Sequence, residues 1–267
     1  MNSPKTERDC GAYDRIARFY DDDMGRSGPQ GDVRFYVERA RRSGGPVLEL
    51  GCGTGRITLP IAKAGCHVTG VDASQPMLDQ LARKAAAELT PDGLQHLTLV
   101  RADVRDFIGN TSFNLILCPY SLITYLVDRA DRAAVLDNVR NLLRPGGSFI
   151  LDLFVQHYAT LLLPDDYVFH DYRRVMDDGT ILEREKTIRK DLDRQINIIS
   201  RTYRILSSEG ALVETFTTQE RIRYFFRGEI HQLLAEHRLA VSEEYGGFDG
   251  EPFDYQAKTM VFVAVLT

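Results

Sequence analysis

No run of about 18 apolar residues occurs in the 267-residue chain, so a helix that crosses a bilayer is not expected. The first residues, MNSPKTERDCGAYDR, are polar and charged. They lack the apolar h-region of a signal peptide, and a cytoplasmic location is the expectation. Cysteine is scarce. Cys10, Cys52, Cys66 and Cys118 are spaced neither as a CxxC redox pair nor as a zinc knuckle, so reduced thiols and no metal site are expected. A basic excess is also missing. The formal net charge is −5, whereas a general binder of nucleic-acid backbone shows the opposite balance, although a local basic patch stays compatible with this. Internal repeats and low-complexity segments are absent. What is present is 43% hydrophobic and 27% charged, enough for a full buried core. The length suits one large domain, or a domain with a subdomain.

Short apolar segments alternate with helical spacing through the first part of the chain. Residues 46–50 (PVLEL), 67–71 (HVTGV), 97–100, 114–118 (NLILC) and 148–154 (SFILDLF) read as strands. Residues 57–64 and 74–87 read as helices, the second opened by a capping Ser74 and Pro76. Val135, Leu136, Val139, Leu142 and Leu143 give 131–143 helical periodicity, broken by Arg144-Pro145-Gly146-Gly147. Such alternation predicts βαβ units and a parallel sheet, hence an α/β fold.

After Phe154 the texture changes. Residues 167–175, 180–190, 195–206 and 212–226 read as long polar-faced strands, separated by Asp-Gly and Ser-Gly turn chemistry. They predict an antiparallel insert, with charge-rich Glu183–Arg194 on a solvated face. A helix at 228–237 and strands at 239–245 and 258–266 then resume the core, and this last pair predicts an antiparallel edge.

The informative loop is Glu49-Leu50-Gly51-Cys52-Gly53-Thr54-Gly55. Three alternate glycines follow a strand and precede a helix, where open α/β sheets bind ligands and where backbone must approach closely. The spacing is GxGxG rather than the dinucleotide GxGxxG, which makes less provision for a pyrophosphate. A glycine triplet alone also suits a plain turn. Asp72 ends the second strand, about 20 residues on, where a carboxylate can accept from ribose hydroxyls. Asp103 closes the third strand and can accept from an adenine amino group.

With these residues in place, the sequence resembles class I S-adenosylmethionine (SAM)-dependent methyltransferases. The matching motifs are Glu49–Gly55, Val71–Leu78 (VDASQPML), Arg101–Asp106 (RADVRD) and Asn141–Ile150 (NLLRPGGSFI). The resemblance implies a Rossmann-like, doubly wound seven-stranded sheet with SAM as cofactor and S-adenosylhomocysteine as product. It implies that Gly51, Cys52, Gly53 and Gly55 line the methionine part, supported by Glu49. It further implies that Asp72 holds the ribose, Ala73 and Met77 flank the adenine, Asp103 and Val104 hold its edge, and Cys118 lies at the sulfonium through its backbone. Tyr13-Asp14-Arg15-Ile16-Ala17-Arg18-Phe19-Tyr20-Asp21 resembles the YD…YD segment that closes over SAM in small-molecule N-methyltransferases, which brings Tyr20 to the cofactor. The antiparallel insert resembles the lid of aminosugar and lincosamide N-methyltransferases of bacterial antibiotic pathways. The implied organisation is a helical cap at 1–44, a SAM-binding core at 45–160, a β lid at 161–226, and a helix with the last two core strands at 227–267.

A sulfonium methyl is already electrophilic, so proximity and orientation, worth about 7–11 kcal/mol, carry much of the reaction. Tyr13, Tyr20, Tyr120 and His157 are the candidates for the reaction zone. The two N-terminal tyrosines are seven residues apart, on one helix face, where their rings can attract a cationic methyl and exclude water. They also suit simple packing. Tyr120 follows the fourth strand. His157 follows the fifth and can take a proton near neutral pH, although it also suits a structural place. His170 and Tyr224 are further lid candidates, and Asp152 reads as a buried, hydrogen-bonded carboxylate. The expected reaction is methyl transfer to an amine nitrogen of a small-molecule acceptor. An oxygen acceptor, or a nucleic-acid base approached through the half-motif Cys118-Pro119-Tyr120, stays open. So do a NAD(P) oxidoreductase and a SAM-binding module without catalysis. No membrane partner is expected, and a homo-oligomer through the insert is left open.

Overall fold

A computed structural model describes residues 11–24, 29 and 31–267. Cys10 lies outside the described residues. Within them no helix is long and apolar enough to cross a membrane. The chain divides into two compact units, one taking the described residues up to Ile123 with Asp128–Val155 and Arg227–Thr267, the other Thr124–Val127 with Gln156–Phe226.

The first unit opens with short helices α1 (Gly11–Ile16) and α2 (Tyr20–Asp23), joined by a 3₁₀ turn, and then α3 (Asp32–Ser43). The alternating part follows as β1 (Val47–Leu50), α4 (Thr58–Lys63), β2 (Val68–Asp72), α5 (Gln75–Glu88), α6 (Pro91–Gln95), β3 (Leu97–Arg101), β4 (Phe113–Cys118), α7 (Arg129–Leu142) and β5 (Leu143–Phe154). Ser74 caps α5 by accepting from the Met77 N–H at 3.3 Å, and Pro76 stands in the first turn where its missing N–H is not needed. Short α6 was not foreseen. It is held by Thr90, which accepts from the Gly93 N–H at 3.1 Å.

In the second unit, α8 (Tyr158–Leu162) precedes four antiparallel strands, β6 (Phe169–Val175), β7 (Ile181–Asp191), β8 (Ile196–Leu206) and β9 (Leu212–Arg223), which pair in simple sequence order. Tyr203 of β8 lies directly opposite Phe216 of β9, their rings stacked at 5.0 Å. Such cross-strand aromatic pairs fix register. The charge-rich stretch is not wholly a solvated face. Period-two alternation turns Arg184 inward, where it is buried and paired with Asp171 at 2.8 Å.

The chain returns to the first unit with α9 (Arg227–Glu236), β10 (Leu239–Tyr245) and β11 (Thr259–Leu266). The seven strands stand in the order β10-β11-β5-β4-β1-β2-β3. β1 pairs in parallel with both β2 and β4. The chain therefore winds outward from β1 to β3 and then starts again at β4, and the crevice at this switch point is where open α/β sheets place ligands. The last strand pair forms the antiparallel edge expected of it. β11 inserts between β5 and β10 and runs antiparallel to both, which leaves β10 outermost. The reason lies in composition: the apolar TMVFVAVL is buried from Thr259 through Ala264, whereas LAVSEEY is only partly covered.

The central strands are fully buried, as parallel strands covered on both faces must be. One apolar cluster joins Tyr36 and Ala40 of α3 and Ile61 of α4 to Val47, Leu115, Leu117, Ile150 and Val261 of the sheet. Another joins Cys52, Leu59, Leu78, Leu81 and Ala85. Gly55 touches this second cluster with left-handed φ of 88°, and a Cβ there would stand 2.1 Å from Leu81 Cδ1. Gly55→Ala therefore combines a left-handed backbone cost of roughly 1–2 kcal/mol with overpacking of about 1–3 kcal/mol. Chemical denaturation is expected to show a loss of roughly 2–5 kcal/mol, and an unchanged midpoint would contradict this account.

Candidate functional site

The ends of β1, β2 and β3 lie side by side and carry the groups singled out in the sequence. Gly51, Gly53 and Gly55 all have left-handed φ, of 69°, 51° and 88°. The loop is pinned to β2, because the N–H groups of Gly51 and Cys52 both donate to the Val71 carbonyl, at 2.8 and 3.0 Å. At Gly53, no heavy atom of the described residues lies within 4 Å of where a Cβ would stand. This backbone is thus open to a ligand.

Asp72 closes the loop from the side. One carboxylate oxygen accepts from the Gly53 N–H at 2.8 Å and the other from the Ser74 N–H at 2.9 Å. An ionised carboxylate has about four lone-pair sites, and the Ala73 N–H is a third backbone donor to this one, so acceptor capacity is left for a further donor. Burial pushes the Asp72 carboxyl above its ordinary value, the backbone donors oppose this, and Asp14 adds to the rise.

Asp103 is more fully engaged. It accepts from the Arg105 backbone N–H at 2.9 Å and from its guanidinium at 2.8 and 2.5 Å, while Arg105 also reaches Asp131 at 2.8 Å. The expected adenine partner is therefore a charge-paired group with less spare capacity. Arg105 was not foreseen, although its place two residues after Asp103 was a signal.

Glu49 is buried and does not face the loop's open side through a free carboxylate. The Thr58 hydroxyl donates to it. Burial raises its carboxyl from 4.5 to about 8, against the pull of the Thr58 bond and with a contribution from Asp72. The side chains of Cys52 and Met77 are buried, that of Cys52 in the second core cluster. The strand-loop-helix geometry turns both side chains inward. Cys118 is also fully buried, and burial pushes its thiol up. Ala73 and Val104 are partly exposed.

The N-terminal segment is tied to this site through its acids. Asp14 accepts from the Ser74 hydroxyl at 2.5 Å. Asp21 accepts from the Thr54 hydroxyl at 2.5 Å and from Lys84 at 2.6 Å. The Tyr13 and Tyr20 rings pair at 6.2 Å with a tilt of 58°, although a 3₁₀ turn interrupts the single helix expected there. The repeated Tyr-Asp pattern was the available signal for the two acids. Next to the loop, Arg56 forms a fork with buried Asp32 at 2.9 and 2.7 Å, another pair that was not anticipated.

Across the switch point, Tyr120 follows β4 with left-handed φ of 56°, and its N–H donates to Asp152 Oδ1 at 2.9 Å. Its ring meets Phe154 edge-on at 5.4 Å. The other candidates belong to the second unit. His157 immediately precedes α8, and its carbonyl accepts from the Thr160 N–H at 3.0 Å. His170 is exposed and paired with Glu185 at 3.0 Å. Tyr224 is buried and meets Phe226 edge-on at 5.8 Å. The structure thus gathers Tyr13, Tyr20, Tyr120 and the strand-tip acids in one unit and His157 in the other.

A family profile described as "Methyltransferase domain" matches residues 47–147. The chain is 34% identical over 109 residues to cypemycin N-terminal methyltransferase of Streptomyces sp, spanning 41% of this chain and 42% of that one. It is 31% identical over 175 residues to carboxy-S-adenosyl-L-methionine synthase of Aliivibrio salmonicida, spanning 60% of this chain and 68% of that one. The crystallised CcbJ methyltransferase from Streptomyces caelestis superposes with a TM-score of 0.79 at 26% identity, over 96% of this chain and 98% of that one.

The buried Glu49 carboxyl makes a direct statement about pH. Its folded value of about 8 lies above its ordinary 4.5, so the folded state holds a proton that the unfolded chain has released. The stability this proton brings is complete below 4.5 and is lost as pH rises through about 8. Glu49→Gln keeps the neutral form throughout. The variant's unfolding free energy is expected to gain on that of the wild type from pH 5 to 8, by an amount on the order of a few kcal/mol, and then level off. A gap that does not change with pH would refute it.

Proposed function

We propose, from the premise that this chain belongs to the S-adenosylmethionine-dependent methyltransferase family, that it transfers a methyl group from SAM to an amine nitrogen of a small-molecule acceptor in a secondary-metabolite or antibiotic pathway. The observation that carries the cofactor site is the Asp72–Gly53 contact, a carboxylate with spare acceptor sites beside backbone with no Cβ in the way. SAM, when bound, supplies an electrophilic sulfonium methyl. The residues fit it. Asp72 offers its remaining acceptor capacity to a ribose hydroxyl. Backbone at Gly51, Cys52, Gly53 and Gly55 lies against the amino-acid end, near Glu49. Ala73 and Val104 border the adenine, with backbone at Met77 and the remaining acceptor capacity of Asp103.

The chain's own residues have three tasks: to hold the acceptor lone pair in line, to exclude water and to let a proton leave. Tyr13 and Tyr20 present paired aromatic faces, which attract a cationic methyl without competing as strong nucleophiles. Tyr120, fixed in a left-handed turn beyond the Cys118 backbone, orients the acceptor. A neutral amine attacks without a base, so His157 enters only as a group able to take the departing proton. The choice of nitrogen draws support from the name of the cypemycin enzyme.

Calorimetry is expected to show heat with SAM and with S-adenosylhomocysteine and none with NAD. Asp72→Ala removes two charge-assisted acceptors, and its affinity for both nucleosides is expected to fall about 10- to 100-fold. A labelled-methyl assay over a small library of amines and alcohols is then expected to mark an amine first. Label appearing only on alcohols or on RNA would overturn the nitrogen assignment, and unchanged affinity in Asp72→Ala would overturn the site.

A further inference from the structure

Asp152 stands near the C-terminal end of β5 among Phe149, Ile150, Leu151 and Leu153, all with no measurable exposure, and is itself 1% exposed. A carboxylate there is costly unless its bonds repay the lost hydration. Among the described residues no cation is paired with it. Oδ1 accepts from two donors, the Tyr36 hydroxyl at 2.5 Å and the Tyr120 N–H at 2.9 Å, while Oδ2 is buried with no hydrogen-bond partner. Burial pushes its carboxyl up to about 6. A leucine would serve the core better at this position, so what the acid holds is the informative part.

It holds a turn under strain. Tyr120 and Ser121 both have left-handed φ, of 56° and 60°, and neither is glycine. Each such residue costs roughly 1–2 kcal/mol and persists only where surrounding bonds over-determine it. Three of those bonds come from one strand, β5. The Asp152 side chain takes the Tyr120 N–H, the Asp152 carbonyl takes the Ser121 N–H at 3.2 Å, and the Ser121 hydroxyl takes the Phe154 N–H at 2.8 Å. On its other side Asp152 is fixed by fully buried Tyr36 of α3, the helix whose first residue, Asp32, grips Arg56 behind the glycine loop.

We propose that Asp152 is a positioning residue for methyl transfer: its Oδ1 anchors the left-handed turn at Tyr120, and so sets where the Tyr120 ring stands at the reacting centre. This rests on the assignment of Tyr120 to the reaction zone. The anchor is the acceptor oxygen rather than the negative charge, because both donors converge on one atom and Oδ2 has no partner.

The experiment reads the Tyr120 ring directly and needs no acceptor. All 12 tyrosines are labelled as 3-fluorotyrosine, and Tyr120→Phe assigns the Tyr120 fluorine resonance by its loss. In Asp152→Leu the resonance is expected to shift or broaden. Asp152→Asn, which keeps an oxygen acceptor in the same place, is expected to restore the wild-type signal. Affinity for S-adenosylhomocysteine is expected to stay within about threefold in both, since the anchor lies on the acceptor side. If Asp152→Leu does not fold because the Tyr36 hydroxyl is left unpaired, Tyr36→Phe with Asp152→Leu removes both partners at similar volume and is expected to move the resonance in the same way. A wild-type Tyr120 signal in the leucine variants overturns the proposal, as does an equal displacement in Asp152→Asn. Failure of the wild type to bind S-adenosylhomocysteine overturns the cofactor assignment instead, and the fluorine spectra still decide the anchor.

Discussion

The contact between the Asp72 carboxylate and the Gly53 N–H, 2.8 Å long, fixes the geometry on which the rest of the site depends. It joins the end of β2 to the middle of the loop leaving β1. A left-handed loop of alternate glycines has many conformations open to it in isolation. Here it is clamped from two sides, by the Val71 carbonyl under Gly51 and Cys52 and by the Asp72 carboxylate beside Gly53. The same carboxylate thus shapes the loop and presents its remaining lone pairs outward. Loop conformation and the acceptor capacity the carboxylate offers are therefore one property, and neither can be altered without the other.

The α/β core was legible because its signals are local and repeated. Short apolar strands, a capping serine with Pro76, and glycines at a strand end each state a backbone conformation that few other sequences adopt. The order of strands at the far edge was less legible. β10 and β11 carry similar lengths of β-forming sequence, and only the more continuous burial of Thr259–Leu266 places it inside the sheet. Side-chain partners were hardest to read. Asp103 and Arg105 are two residues apart, yet an exposed strand-end acid and an arginine are individually commonplace. Asp14 and Asp21 were in plain view within the repeated Tyr-Asp pattern. The hydroxyls of Ser74 and Thr54 that the acids reach lie 60 and 33 residues away in the chain, beyond any local pattern.

Three buried acids behave differently, and the difference follows from their partners. Asp32 is matched by a guanidinium fork from Arg56, so its charge is locally balanced. Glu49 has a hydroxyl donor and an acidic neighbour, and its carboxyl rises to about 8. It is a neutral group at ordinary pH, closer to a hydrogen-bonded amide than to an ion. Asp152 lies between these cases at about 6, with two neutral donors on one oxygen. A balanced pair is a plausible requirement of folding alone. An acid without a counter-charge in an apolar strand conflicts with local packing, and such conflicts concentrate where a structure serves something other than stability.

The strain at Tyr120 and Ser121 sharpens this point. If the turn after β4 served only to connect elements, glycine or asparagine at these positions would remove a cost of roughly 1–2 kcal/mol at each. The tyrosine side chain is retained in spite of that cost, and its backbone is held by bonds to β5 rather than allowed to relax. A ring that only filled space would be as well placed by an unstrained turn, since a strained backbone persists only where the surrounding structure over-determines it. What the strained turn secures, and a relaxed one does not, is the direction of a single side chain at the switch point of the sheet. Direction matters most where two atoms have to meet in line, because an error of about 1 Å there lowers a rate far more than it lowers stability.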